Sequence, residues 1–228
     1  MQRRLVRKLE LERFLSRIAL QQSPKPNLEQ YTIPVDIAST MLYIAAYTYG
    51  DIIGKKVLDL GCGTGRLAIG AAFLGARQAV GIDIDATAVK LAFENSVKAE
   101  LKGKVQWIIG DIDAVQGKFD TVLQNPPFGV QKRGADRKFI EKALKLGKVV
   151  YSLHKHPERD KNLIKKLKAK RTYISLVNPP LFLKKYIDKH NGKVKVVYAM
   201  IMTIPHMFSF HSKKRHEFIV DLFIIEKR

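Results

Sequence analysis

One run of residues constrains the fold of this chain more than any other: a short apolar segment leads into a glycine-rich loop, which opens a small-residue helix. The segment Lys56–Leu60 is predicted to be a buried strand, and Arg66–Leu74 is predicted to be the helix. Between them lies Gly61-Cys62-Gly63-Thr64-Gly65, where glycine allows backbone angles closed to other residues. A strand–loop–helix unit of this kind is typical of α/β folds that bind a ligand at the carboxyl ends of their strands.

The same alternation continues along the chain. Further strands are predicted at 79–84, 105–109, 120–124 and 148–152, and the helices between them at 87–99 and 135–146. The tail is less regular, with helices predicted at 160–170 and 180–190, a strand candidate at 171–177, and a closing hairpin of 193–203 and 216–225. These βαβ units predict a doubly wound α/β fold: a mostly parallel seven-stranded sheet, helices on both faces and an antiparallel carboxyl-terminal strand.

Charge is distributed unevenly over the 228 residues. Lys and Arg number 41 against 21 Asp and Glu, a net charge of +20, yet 46% hydrophobic residues exclude a disordered polyelectrolyte. Residues 22–130 carry a net −1, whereas residues 1–21, 131–150 and 151–228 carry +4, +5 and +12. Basic segments around a near-neutral centre favour a polyanionic partner, most often a nucleic acid.

Other features of the sequence bound the location and the domain organisation. A single cysteine, Cys62, excludes a disulfide framework and favours a reducing compartment, so we expect a cytoplasmic protein. Every apolar stretch is interrupted by charge well before about 18 residues, so no membrane span is expected. Residues 1–27 are predicted to be a basic amphipathic helix and a linker, followed by one catalytic domain over residues 28–228.

Acidic residues follow three successive predicted strands. Asp59 leads into the loop with Gly61 and Gly63, Asp83 ends the second strand 22 residues past Gly61, and Asp111 follows the third. A carboxylate in the position of Asp83 accepts hydrogen bonds from the two hydroxyls of a ribose. The three acids therefore predict a site for an adenosine-containing cofactor.

The spacing is compatible with NAD or with S-adenosylmethionine. The NAD fingerprint requires a third glycine where Arg66 stands, and Asp59 would repel a pyrophosphate. A carboxylate ahead of the glycine loop suits the cationic methionine end of S-adenosylmethionine, which we therefore favour. A NAD-dependent oxidoreductase is the alternative from another functional class.

The fourth predicted strand is followed by Asn125-Pro126-Pro127-Phe128, on the same edge as the cofactor site. The lone pair of an exocyclic base amine is delocalised into its ring, so two acceptors are needed to direct it at a methyl donor. The side-chain carbonyl of Asn125 and the backbone carbonyl of Pro126 are such acceptors. Proline fixes the backbone that carries them, and Phe128 suits stacking on a planar base.

With these motifs the chain resembles class I S-adenosylmethionine-dependent methyltransferases of the Asn-Pro-Pro-Phe/Tyr type. Within them it is similar to the methyltransferase-like protein 5 family, in an archaeal form, whose members methylate adenine N6 in small-subunit ribosomal RNA. The specific likeness lies in two further motifs, Leu28-Glu29-Gln30-Tyr31 and Val150-Tyr151-Ser152-Leu153-His154-Lys155. Asp136 in Gly134-Ala135-Asp136-Arg137 also matches the family.

The resemblance implies roles for individual residues. It implies a Rossmann-like methyltransferase fold in which Asn125 and Phe128 are catalytic, with Pro126 and Pro127 between them. The cofactor-binding residues that it implies are Gln30, Asp59, Gly61, Gly63, Asp83, Ile84, Asp111, Ile112 and Asn125. No metal ligands are predicted in the chain. The family further implies a small zinc-binding activator protein that pairs with an exposed sheet edge.

Three alternatives stay open at this level. One is a non-catalytic RNA-binding module with a decayed methyltransferase core, which the intact motif disfavours. Asn-Pro-Pro enzymes also methylate protein glutamine N5 or guanine N2, and glutamine methylation would need no basic flanks. The Lys-rich stretch 157–203, longer than the family pattern, is either an added RNA contact or a solvated insertion.

Overall fold

The computed structural model describes residues 5–21, 25, 32–128, 134–157, 161–169, 174–205 and 215–228. The α-helices in this part are α1 (Lys8–Leu15), α2 (Val35–Tyr43), α3 (Arg66–Leu74), α4 (Ala86–Lys98), α5 (Ala135–Leu146), α6 (Lys161–Ala169) and α7 (Leu181–Lys189); a π-helical turn, Ile44–Thr48, extends α2. The strands are β1 (Lys56–Leu60), β2 (Gln78–Asp83), β3 (Val105–Ile109), β4 (Phe119–Gln124), β5 (Gly147–Lys155), β6 (Ile174–Leu176), β7 (Gly192–Pro205) and β8 (Arg215–Lys227).

The strands form one sheet in the order β3-β2-β1-β4-β5-β8-β7-β6. Strands β1 to β5 are parallel, whereas β8 is antiparallel to β5 and to β7, and β6 is antiparallel to β7. The Rossmann-like prediction and the closing hairpin are therefore confirmed, but the prediction of seven strands is wrong. The eighth strand is β6, which pairs with the long strand β7 from Leu176 at Tyr198 to Ile174 at Met200. With three residues it is too short to show an alternating pattern.

Helices cover both faces of the sheet. One face is buried under α1, α2 and α3, where Leu15 and Leu42 pack with Leu123 of the sheet. The other is buried under α5 and α7, where Ile140 packs with Val122. Each fully buried side chain of this size contributes roughly 1.5–3 kcal/mol of transfer free energy. Both helix layers therefore stabilise the sheet, and the predicted site lies at the carboxyl ends of its parallel strands.

Helix α1 packs into the main core. Leu11 and Leu15 are fully buried in the cluster that α2 and α3 share. The backbone N–H of Val6 donates to the hydroxyl of Tyr47 at 3.0 Å. The domain boundary at residue 27 stays a prediction, because residues 22–24 and 26–31 lie outside the described part of the chain. No helix in the described part is long and apolar enough to cross a membrane.

Candidate active site

The loops after β1, β2 and β3 meet at one edge of the sheet. The N–H groups of Gly61 and Cys62 each donate to the carbonyl of Ile82 at 2.9 Å. The N–H of Gly110 donates to the carbonyl of Asp83 at 2.9 Å. These bonds fix the carboxyl ends of the three strands relative to each other, and we call this edge, continued by the ends of β4 and β5, the strand-end edge.

Two glycines of the loop, Gly63 and Gly65, differ in what surrounds their backbone. Gly63 has φ +51° and a Cβ placed on it would meet nothing within 4 Å, so its backbone faces open space. Gly65 has φ +85°, and a Cβ there would lie 2.4 Å from the indole of Trp107. Gly65 therefore serves packing, whereas the backbone at Gly63 is open to a ligand.

Asp59 is the most buried of the predicted acids, with 1% of its surface exposed. Its Oδ2 accepts the N–H of Ala68 in the first turn of α3 at 3.0 Å. Its Oδ1 has no hydrogen-bond partner among the described residues. Burial, with a smaller contribution from the charge of Asp83, raises the pKa of Asp59 to about 7 despite the bond from Ala68. An unsatisfied buried carboxylate of this kind favours a cationic ligand.

Asp83 is held in place by two backbone donors. Its Oδ2 accepts the N–H of Gly63 at 2.9 Å, and its Oδ1 accepts the N–H of Asp85 at 2.9 Å. Burial raises the pKa of Asp83, while these two hydrogen bonds oppose the rise. Asp83 thus links the end of β2 to the open glycine of the first loop, and the side chain of Ile84 beside it is exposed.

The third acid differs from the other two. Asp111 is half-exposed and accepts the N–H of Asp113 at 2.9 Å and the ammonium of Lys138, from α5, at 2.8 Å. The bond from Lys138 holds the pKa of Asp111 below its usual value. Ile112, next to it, is buried in the core under α5. The sequence suggested three similar acids, but a partner 27 residues away neutralises one of them.

Three polar side chains hold the amino-terminal segment against this region, and none of them was predicted from the sequence to be part of the site. The guanidinium of Arg66 donates to the carbonyl of Ile33, and burial lowers its pKa to about 10. Asn95 accepts the N–H of Ala19 at 3.0 Å and donates to the carbonyl of Thr64 at 3.1 Å. Asp85 accepts the ammonium of Lys25 at 2.9 Å. Gln30 itself lies outside the described residues.

The motif at residues 125–128 directly follows β4. Pro126 is buried, whereas Asn125, Pro127 and Phe128 are partly exposed. The ring of Phe128 packs edge-on against Phe218 at the start of β8, with centroids 5.9 Å apart and planes at 87°. The motif therefore lies on the strand-end edge, next to the loop that follows the neighbouring strand β1.

A chain of buried polar groups underlies this motif on the α5 face of the sheet. Gln124 donates to the hydroxyl of Ser152 at 2.8 Å, and Ser152 lies 2.7 Å from Nε2 of His154. Nδ1 of His154 is 3.7 Å from the carboxylate of Asp136 in the first turn of α5. Burial acts to raise the pKa of Asp136, but contact with His154 outweighs it and holds that pKa below the usual value. We call these four residues the polar chain.

The polar chain has one consistent direction. With a proton on Nδ1 facing Asp136, Nε2 of His154 accepts from the Ser152 hydroxyl, which accepts from Gln124. The sequence signal for it was the alternation of Ser152 and His154 along an otherwise apolar strand, which places both side chains on one face. Gln124 and Ser152 could not be recognised as buried site residues from the sequence, because polar residues within a strand usually face solvent.

The sheet order, the reversed final strand, the open glycine loop with its acids and the Asn-Pro-Pro-Phe motif define a Rossmann-like methyltransferase. A family model described as "methyltransferase small domain" matches residues 33–149, just over half of the chain. The chain belongs to this family. This membership confirms the prediction of a class I S-adenosylmethionine-dependent methyltransferase and excludes the alternative of a NAD-dependent oxidoreductase.

Known proteins resemble the chain over nearly its whole length. Protein MJ0284 of Methanocaldococcus jannaschii is 37% identical over 98% of this chain and 95% of its own. The rRNA N(6)-adenosine-methyltransferase METTL5 of Danio rerio is 36% identical over 93% of this chain and 95% of its own. The crystal structure of PH1948 from Pyrococcus horikoshii, a candidate RNA methyltransferase, superposes with a TM-score of 0.80 at 36% identity, covering 98% and 99% of the two chains.

Proposed function

We propose that this protein transfers a methyl group from S-adenosylmethionine to N6 of an adenine in small-subunit ribosomal RNA. The observation that carries the proposal is the Asn125–Phe128 motif at the end of β4, in a chain that matches an rRNA N6-adenosine methyltransferase over 93% of its length. The distribution of charge supports an RNA substrate. A cytoplasmic location, inferred from the single cysteine, is part of the same proposal.

The acids and glycines described above fit the cofactor, because a buried carboxylate oxygen without a partner and an open backbone at Gly63 suit its cationic and polar parts. Asp59 would face the methionine end, Asp83 the ribose, and Asp111 with Ile112 the adenine. The remaining predicted contacts are Gln30, Gly61, Ile84 and Asn125. The bound cofactor supplies an electrophilic methyl group, and the chain supplies position and charge.

Asn125 and Pro126 would bind the target amine. The Oδ1 of Asn125 and the backbone carbonyl of Pro126 each accept one N–H of the amine, so that its lone pair points at the methyl group. The amine loses its proton after attack, hence no strong base is required. Because the two prolines restrict the backbone, the acceptors are positioned before substrate binds.

Phe128 would stack on the flipped adenine. Its edge-on packing against Phe218 restrains the orientation of the ring, which stays partly exposed. A base drawn out of an RNA loop gains about 1–3 kcal/mol from one such stack, which offsets part of the cost of extrusion.

The decisive test is Asn125→Ala, assayed for methyl transfer to small-subunit RNA. We expect kcat to fall on the order of 10²–10³-fold, as for the loss of one transition-state hydrogen bond. S-adenosylhomocysteine affinity should fall by about 2- to 10-fold at most, the factor for one neutral cofactor contact. Asn178→Ala is the matched control, since Asn178-Pro179-Pro180 repeats the tripeptide outside the catalytic loop. Undiminished activity of Asn125→Ala would refute this mechanism.

Nucleoside mass spectrometry of the methylated RNA separates the alternatives within the class. N6-methyladenosine supports the proposal, and N2-methylguanosine would replace it with the guanine reaction. Methyl transfer to a protein glutamine with no RNA product, together with a flat salt dependence of substrate binding, would indicate a protein substrate.

The edge strand β3 supports a small zinc-binding activator protein as partner. Among the described residues, β3 is the last strand at its end of the sheet and pairs with β2 alone, and Ile109 on it is 60% exposed. An unpaired edge with exposed apolar side chains suits strand addition. Ile109→Lys should prevent co-purification with the activator, whereas Leu176→Lys at the opposite edge of the sheet should not. Equal binding by both variants would exclude the β3 edge.

A further inference from the structure

Three apolar side chains at the end of β6 and the start of α7 are exposed, and the site above uses none of them. Leu176 is 66% exposed, Leu181 is 66% exposed, and the ring of Phe182 is 59% exposed. The guanidinium carbon of Arg137, in the first turn of α5, lies 4.7 Å from the centroid of the Phe182 ring. We call Arg137 and Phe182 the stacking pair.

The stacking pair lies on the strand-end edge. In the sheet, Gln124 pairs with Ser152, Ser152 with Phe223, and Phe223 with Val197. All four residues therefore lie at the same level along the strands, which is the carboxyl end of β4. The N–H of Val177 donates to the carbonyl of Val197 at 3.1 Å. Val177 is therefore at the same level as the end of β4, and α7 begins four residues later.

A second path leads from the stacking pair to the catalytic motif. Arg137 follows Asp136, which the polar chain connects through His154 and Ser152 to Gln124, the residue before Asn125. The stacking pair is thus linked to the catalytic motif through contacts on one face of the sheet.

We propose that the stacking pair binds an unpaired RNA base next to the target adenine. The inference rests on the proposed RNA substrate and extends its binding site onto α7. The flanking base stacks on the exposed Phe182 ring, and Arg137 contributes a planar cation to the same surface. Lys184 and Lys185, both exposed on α7, lie close to the phosphates of this nucleotide.

The charge around the stacking pair favours RNA over another protein chain. Arg137 lies against the Phe182 ring, α7 exposes Lys184 and Lys185, and residues 151–228 as a whole carry a net +12, so the segment suits a polyanion and disfavours pairing with a second copy of itself. Helix α7 is anchored to the sheet through Leu183 and Ile187, which are buried in the core. Phe182 lies on another side of the helix and stays exposed to a ligand. An exposed aromatic ring beside an arginine is the combination that binds unpaired bases without reading their sequence.

The test compares Phe182→Ala with Phe93→Ala, which removes another exposed ring (46%) on another helix, α4. The probe is a short single-stranded oligouridylate with one central adenine, and its affinity is measured by fluorescence anisotropy with S-adenosylhomocysteine present. Phe182→Ala should weaken binding about 5- to 100-fold, the factor for one lost base–aromatic stack, and Phe182→Trp should retain it. Phe93→Ala should bind as the wild type does.

An abasic nucleotide placed at each flanking position in turn identifies the stacked base. At one position it should weaken binding by the wild type but not by Phe182→Ala, because the two changes remove the same contact. Equal affinity of the Phe182→Ala and Phe93→Ala variants, or no position that couples to Phe182, would overturn the inference while leaving the RNA substrate intact.

Two further outcomes are distinguishable from these. Absence of RNA binding and methylation by the wild type would refute the proposed function, and the inference with it. A change in oligomeric state on Phe182→Ala, with RNA affinity unchanged, would assign the surface to a second copy of the chain and overturn the inference alone.

Discussion

The two halves of the strand-end edge hold their polar side chains in opposite ways. After β1 and β2, buried carboxylates accept backbone N–H groups, and burial raises the pKa of both Asp59 and Asp83. After β4 and β5, an amide, a hydroxyl and an imidazole form the polar chain, which reaches a carboxylate only at Asp136. In the first half, burial and charge determine the protonation of the side chains. In the second half, the direction of the hydrogen bonds determines how the side chains are oriented.

The difference follows from what each half has to hold. A carboxylate kept out of water is costly, so it is tolerated where a cationic ligand compensates for it. A neutral chain costs less than a buried charge, although Oε1 of Gln124 has no hydrogen-bond partner among the described residues, and it fixes geometry without attracting ions. The acidic half therefore suits the cofactor, and the neutral half suits an aromatic amine.

The largest effect is expected at Asp83. Asp83→Ala removes the acceptor for Gly63 and Asp85 as well as a proposed ribose contact. S-adenosylhomocysteine affinity should fall about 10- to 100-fold in isothermal titration, because charge-assisted bonds contribute about 1.5–3 kcal/mol. RNA affinity should stay within about twofold if the halves act separately.

Asp120→Ala is the control for that variant. Asp120 also accepts a backbone N–H, from Lys56 at 3.0 Å, and pairs with Lys148 at 2.8 Å, but near the start of β4. It should leave cofactor affinity unchanged. Parallel loss of cofactor and RNA affinity in Asp83→Ala would mean that the halves are coupled.

The next effect is a pH dependence set by Asp59, whose pKa is about 7. A cationic ligand beside it favours the ionised form, so binding releases a proton below that pH. S-adenosylhomocysteine affinity should therefore rise, by at most about tenfold per pH unit, until the pH reaches about 7, and then level off. Asp59→Asn should lower the affinity and abolish the dependence; a persistent slope would assign it to another group.

The same pKa has a consequence for the protein without ligand. Because the folded-state pKa of Asp59 is raised, its neutral form favours folding at low pH, and that contribution is lost as the pH rises towards about 7. The free energy of unfolding should fall by at most about 1.4 kcal/mol per pH unit in this range, and less in Asp59→Asn. Denaturant titrations at several pH values measure it.

How much the sequence could predict differs between the same two halves. The bounds of β1, α3, β3 and α5 agree with prediction, because each combines an apolar period with a clear loop signal. Since the ends of parallel strands meet, the edge on which Asp59 and Asp83 lie also followed from the pattern. Lys138 at Asp111 could not be foreseen, since the contact joins segments that only the folded sheet brings together.

The neutral half was less predictable for a physical reason. Gln124 and Ser152 pair across neighbouring strands 28 residues apart, and neither type of residue marks a buried position in a sequence. Strand β6 was only a candidate because three residues give no period, and its pairing depends on the free edge of β7. Contacts across the sheet therefore limited both the fold and the site predictions.

A smaller effect is expected in the polar chain. Ser152→Ala removes the acceptor of Gln124 and leaves a buried donor unpaired, which costs about 1–3 kcal/mol of stability. The loosened end of β4 should lower kcat by about 3- to 10-fold at saturating RNA, with cofactor affinity unchanged. Ser175→Ala, at the far edge of the sheet, is the control. A loss of cofactor affinity equal to the loss in kcat would contradict a positioning role.

The smallest effect concerns the basic surface that distinguishes the tail from the near-neutral centre. Lys165→Gln with Lys166→Gln neutralises two exposed bases on α6. If both contact phosphates, the slope of log affinity against log salt should decrease in magnitude by about 0.7 for each, the value for single strands. Lys102→Gln with Lys104→Gln removes the same charge before β3, far from the strand-end edge. Similar slopes for the two double variants would show that RNA affinity depends on the net charge of the protein and not on the position of α6. The Lys-rich stretch would then be a solvated insertion.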